Sequence, residues 1–195
     1  MNPRSWWRRW RMPRAAAARA LALAACAPAL TACAPDYNWR EIRPPDTGYA
    51  VMLPGKPASM SRPIDLDGLA VTMAMSGARV GEQSFTVGVV VLPDAQAATR
   101  AKAGSAMRAA MVRNIAGRER TAAEAAVPVV DAAGRPVATQ AGVRIEASGQ
   151  HGDRALHLSA LFVARGNRAW QAVVLGPGPD SAHAQVFTDS FRILE

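Results

Sequence analysis

The chain has 195 residues and a formal net charge of +8, from 23 Lys and Arg against 15 Asp and Glu. Six of the basic residues (Arg4, Arg8, Arg9, Arg11, Arg14 and Arg19) and none of the acids precede Cys33, so 17 basic residues face 15 acids beyond it and the charge there is +2. With no basic run left, that balance excludes a nucleic-acid surface as the origin of the charge. Two cysteines are too few to frame a disulfide scaffold.

The first segment carries an address. MNPRSWWRRWRMPR is basic and free of acids, and Ala20 to Ala32 holds no charge. A basic stretch, a short apolar run and small residues form the pattern of an export signal. Thirteen uncharged residues fall short of the roughly 20 that cross a hydrocarbon core as a helix. Arg8-Arg9 raises a twin-arginine signal, against which stand Trp7 before the pair and Arg11 after it.

Leu30-Thr31-Ala32-Cys33 resembles the lipobox of bacterial lipoproteins. The resemblance implies that a diacylglyceryl group joins the Cys33 thiol, that a peptidase cuts between Ala32 and Cys33, and that the new amino terminus is acylated. Leu23-Ala24-Ala25-Cys26 fits the same pattern, but it leaves too short an apolar run before it. A Cys26–Cys33 disulfide would bury both sulfurs in the leader, and two cysteines alone cannot close a metal site. Cys33 is therefore the expected lipidation site. The expected organisation is a signal peptide over 1–32, a lipid-anchored tether over 33–48 with Pro44-Pro45, and one domain over 49–195.

Within the domain, Tyr49, Val51 and Leu53 alternate with smaller residues until Pro54-Gly55, which predicts a strand. In IDLDGLAVTMAMS, Asp67-Gly68 separates two alternating segments and predicts a tight hairpin with Val71, Met73 and Met75 on one face. SFTVGVVVL, residues 84–92, is apolar on both faces and reads as a central strand. Asp94 is expected to cap a helix reaching about Ala116, with Met107, Met111 and Ile115 spaced by four and Gly117 just past its end. Residues 118–140 read as a loop or short helix and then an edge hairpin turning at Ala133-Gly134. Strands follow at GVRIEASG, ALHLSALFVAR and NRAWQAVVLG, with a turn at Arg165-Gly166-Asn167. GPGPD breaks the chain before a last helix capped by Asp180 or Ser181, lined by Ala184, Phe187, Phe191 and Leu194.

This order predicts an α+β domain, an antiparallel sheet with helices on both faces in a three-layer α/β/α sandwich. The order of elements is similar to the Mog1/PsbP-like fold, and YAVMLPGKP and VFTDSFRIL resemble the opening and closing segments of bacterial lipoproteins of that group. The resemblance implies an accessory, assembly or ligand-binding module and brings no catalytic residue.

Residue chemistry points the same way. His151, His157 and His183 stand in no His-Glu-x-x-His or related spacing, so no metal site is expected. No serine lies in Gly-x-Ser-x-Gly. Asp65 and Asp67 flank a turn and read as solvated, and the glycines of Gly176-Pro177-Gly178 alternate with prolines, which cannot donate to a phosphate. The expectation is a non-enzymatic, cofactor-free lipoprotein on the periplasmic side of a bacterial membrane. The outer membrane is favoured because Ala34 replaces the aspartate that resembles an inner-membrane retention signal. Its partners would be the membrane and an envelope protein. The alternative is a carrier of a small apolar or amphipathic ligand in a cavity near Met73, Met75, Met107 and Met111.

Overall fold

A computed structural model describes residues 36–195. The strands are β1 (Arg40–Ile42), β2 (Tyr49–Leu53), β3 (Ala58–Asp65), β4 (Ala70–Val80), β5 (Gln83–Val91), β6 (Arg118–Val130), β7 (Pro136–His151), β8 (Arg154–Arg165), β9 (Arg168–Gly176) and β10 (Arg192–Leu194). The helices are α1 (Ala97–Asn114) and α2 (Ser181–Ser190). All ten strands join one sheet in the order β1-β2-β10-β6-β7-β8-β9-β5-β4-β3.

The three-layer α/β/α sandwich is corrected by this architecture. Strands take up 56% and helices 17% of the described residues, and the sheet curls into a half-barrel. Nor is the sheet purely antiparallel, because β10 runs parallel to β6, pairing Ile193 with Val129. Two stretches read as helix or loop supply the extra strands. RERTAAEAAVPVV is rich in alanine, a helix former, yet it pairs along nearly its whole length with β7, so ladder hydrogen bonds override local propensity. Leu194 belongs to β10 instead of the last helix, since Phe191 leaves helical geometry and the chain extends between β2 and β6.

Two cores follow from the alternation along the strands. Phe85, Val87 and Val89 of β5 face Trp170, Ala172 and Val174 of β9, together with Tyr49, Val51 and Leu53 of β2 and Ala184, Phe187 and Phe191 from α2. On the other face Val90 and Val173 meet Met73, Leu158, Ala160 and Phe162, covered by Ala103 and Met107 of α1. A strand flanked by apolar material on both sides is the central strand its sequence predicts.

Three turns decide local geometry. Asp67 and Gly68 sit at φ 57° and 87°, the pair of positive values that a two-residue type I′ hairpin needs. Helix α1 begins after Gln96, which makes no side-chain cap. Asp94, two residues earlier, accepts the Gln96 N–H at 2.8 Å, so it shapes the approach to the helix and not its first turn. At its end Ala116, at φ 45°, takes the left-handed position expected for Gly117. Ala116 donates to the Arg113 carbonyl and Gly117 to the Val112 carbonyl, the double closure of a Schellman cap. Gly117 is needed for a different reason: a Cβ there would come within 2.8 Å of the Ser148 carbonyl oxygen.

Candidate functional site

The chain enters the domain through an aromatic clasp. Tyr37 stacks on the His183 ring, centroids 3.7 Å apart and planes within 6°, and Trp39 stacks on Tyr37 at 5.9 Å. Both meet Phe85 edge-on. Asp180 joins the entry segment to α2: its carboxylate accepts the Tyr37 hydroxyl at 3.1 Å, the His183 ring Nδ1–H at 2.7 Å and, as N-cap of α2, the His183 backbone N–H at 3.3 Å. An ionised carboxylate is an acceptor only, which fixes the proton on Nδ1. Burial works to raise the Asp180 pKa, but the three donors outweigh it and hold the group below its ordinary value. The same desolvation, with Asp180 beside it, raises the Tyr37 hydroxyl. Asn38 adds a backbone bond to the Pro54 carbonyl at 2.9 Å, and β1 then pairs with β2. Within the expected tether over 33–48, Tyr37 through Ile42 are docked on the domain.

Beside α1 lies an open groove of about 460 Å³, with Phe162, Val163 and Gly142 below and Arg100, Arg108 and Glu124 around it. Arg108 grips Glu119 with both Nε and Nη2; hydrogen bonding to that guanidinium lowers the Glu119 pKa. Arg100 reaches the Ala95 carbonyl and, at 3.4 Å, that of Gly166. An apolar floor with a charged rim suits an amphipathic guest. A second depression of about 440 Å³ lies over β3 and β4, between Lys56, Met60, Met75 and Arg79.

Ala32 and Cys33, the expected cleavage and lipidation residues, lie outside the described residues, as do Cys26 and the rest of the expected signal peptide over 1–32. The histidines are scattered. His151 ends β7 and is exposed, His157 Nε2 lies 2.8 Å from Glu146 Oε2 across β7 and β8, and His183 belongs to the clasp. Among the described residues no three His, Cys, Asp or Glu are grouped as metal ligands, and no helix is long and apolar enough to cross a membrane. Asp65 accepts the Gly68 N–H at 2.6 Å and so braces its hairpin. The four methionines do come together, in a packed cluster: Met73 and Met107 are buried in it and Met75 and Met111 pack against it, and the buried Gln171 amide points at Met73 Sδ (3.9 Å) and Met111 Sδ (3.6 Å). Tyr37 and Asp180 are the pair that sequence reading missed as partners, because 143 positions separate them.

The sequence matches no family model. It also matches no curated protein. Among solved structures, the solution structure of cyanobacterial PsbP (CyanoP) from Synechocystis sp. PCC 6803 is similar over 83% of this chain and 95% of that one, with a TM-score of 0.50 and 12% identity. A looser match, at TM-score 0.36 and 12% identity, covers 75% of this chain and 88% of a Pseudomonas aeruginosa protein of unknown function. The domain is therefore PsbP-like in fold, and at this identity the likeness concerns fold alone.

Proposed function

We propose that this protein is a lipid-anchored, non-enzymatic accessory module of the bacterial cell envelope, held on the periplasmic side of a membrane through Cys33 and docking another envelope protein. The observation that carries the reading is Leu30-Thr31-Ala32-Cys33 closing an uncharged run behind an arginine-rich start. Two acyl chains hold a soluble domain on a bilayer stably where one does not.

The test is palmitate labelling and crosslinking in intact cells. Wild type is expected in the membrane fraction, labelled, with one envelope protein recovered reproducibly; Cys33→Ser is expected to be unlabelled and released. Labelling that survives in Cys33→Ser overturns the anchor, and crosslinking with no protein above background overturns the docking role.

A second reading, a carrier of a small amphipathic ligand, draws on the groove beside α1 with its Phe162 floor and arginine rim. Native mass spectrometry of protein taken from cells decides it: a bound adduct supports the carrier, and its absence together with no stabilisation by added lipid ends it.

A further inference from the structure

We infer that the end of the domain at which the chain enters seats directly on an anionic lipid bilayer. The inference rests on Cys33 being the lipidated residue and adds an orientation to that reading.

The first argument is reach. Only residues 34–36 separate Cys33 from Tyr37, so the span between the two is at most about 14 Å of extended chain. Tyr37 is no free linker: it is clamped between His183, Asp180 and Trp39. A lipid on Cys33 therefore holds Tyr37 within that distance of the headgroups and turns the end of the domain around it toward the membrane.

The strand registers identify the surroundings. Arg40 pairs with Leu53, so the clasp lies at the end of the sheet where β2 finishes. Pairings of Ala58 with Gly77, Val80 with Gln83, Ser84 with Leu175, His157 with Gly176 and His151 with Arg154 bring the start of β3, the β4–β5 turn, the end of β9 and the β7–β8 turn to that same end. The β8–β9 turn at Gly166-Asn167 and the Leu66–Leu69 turn lie at the other, about 40 Å away along the 12 residues of β8. Only one end can approach the membrane at a time.

Charge supplies the second argument. Lys56, Arg79, Arg118 and Arg120 are exposed at the entry end, and none is ion-paired among the described residues, whereas Glu82 there is paired to Arg154. Arg40, exposed and likewise without an ion pair among the described residues, adds a fifth beside the clasp, and the unpaired exposed acids there are Asp36 and Asp153. Lys56 and Arg79 also flank the depression with Met60, an exposed apolar residue. Unpaired cations beside exposed apolar surface fit phosphate headgroups, and an anionic leaflet attracts such groups within a Debye length.

The experiment uses the full chain, expressed with Cys26→Ser, purified from membranes and reconstituted into vesicles of phosphatidylcholine alone or with one quarter phosphatidylglycerol. Single reporter cysteines at Asp153→Cys and Asn167→Cys carry a fluorophore, and the vesicles hold a headgroup-attached quencher. Quenching at position 153 is expected to exceed that at 167 at least threefold. With phosphatidylglycerol present it should drop at least twofold in the Lys56→Glu/Arg79→Glu double variant, which stays vesicle-bound through its lipid. Equal quenching at both ends, or more at 167, overturns the orientation; quenching at 153 that ignores both phosphatidylglycerol and the double variant overturns the electrostatic contact. Failure of the anchor is visible separately: the chain would not float with vesicles and its Cys33 peptide would carry no lipid mass.

Discussion

The Tyr37 hydroxyl donates to the Asp180 carboxylate at 3.1 Å across 143 positions of sequence, tying the segment that enters the domain to the first turn of its last helix. Removing the tie should undock the segment without unfolding the sheet, because β1 is a three-residue edge strand whose partner β2 is also paired to β10. In Tyr37→Ala both the ring stack and a hydrogen bond to a charged group disappear. Together these are worth about 1.5 kcal/mol or more, which is about tenfold in an opening equilibrium. Hydrogen exchange at Asn38 through Ile42 is expected to quicken at least tenfold while β8 and β9 stay protected. Unchanged exchange at Asn38 would show that the clasp contributes nothing.

The same carboxylate sets a pH dependence. Asp180 titrates below its ordinary value in the fold, and a carboxyl so lowered stabilises the native state at pH above its unfolded value, a contribution that fades as pH falls through the folded one. Glu119, lowered by Arg108, acts in the same direction. Thermal stability should therefore decline as pH drops through and below the ordinary carboxylate range. Asp180→Asn should start lower at neutral pH and lose less on acidification, read as Tm against pH. A slope identical to that of the wild type would remove Asp180 as a contributor.

Sequence reading succeeded where one residue type has one local meaning and failed where partners are distant. Asp67-Gly68 marked a hairpin because few residues tolerate two successive positive φ values. β5 was legible from apolar residues on both faces. β6 was not, since alanine fits helix or strand and residues 118–126 show no period of burial; its identity comes from β7 across the ladder. The place of β10 was invisible for the same reason: it slots between β2 and β6, a pairing of three residues with distant partners. Of the candidate site, Asp180 was readable as a helix cap, while Tyr37 looked like part of a linker.

The contact between α1 and β7 yields a steric prediction. A Cβ on Gly149 would lie 2.1 Å from the Ile115 carbonyl oxygen, the same oxygen that accepts the Gln150 N–H at 2.7 Å. Because the obstacle is backbone, no rotamer change relieves it. Gly149→Ala should cost about 1–3 kcal/mol, the range of an overpacked site, by denaturant midpoint at constant slope. Ala116→Gly, one residue past the Ile115 cap, should act oppositely. It removes a left-handed alanine at a position that favours glycine and should stabilise by about 0.5–1 kcal/mol.

Gln171 provides the last prediction. Its side chain is 7% exposed in the face covered by α1, and its amide nitrogen points at two thioether sulfurs, Met73 Sδ at 3.9 Å and Met111 Sδ at 3.6 Å. Sulfur is a weak acceptor, so the buried amide recovers little of its lost hydration, and an apolar group of the same shape removes that cost without leaving a strong partner orphaned. Gln171→Met, close in volume, should therefore be stabilising by up to about 1 kcal/mol. Gln171→Ala should be destabilising by about 2 kcal/mol, because the cavity it opens beneath α1 outweighs the relief. Both values come from chemical denaturation, and a loss of more than 1 kcal/mol in Gln171→Met would mean that the amide has a stronger role than its sulfur contacts give it.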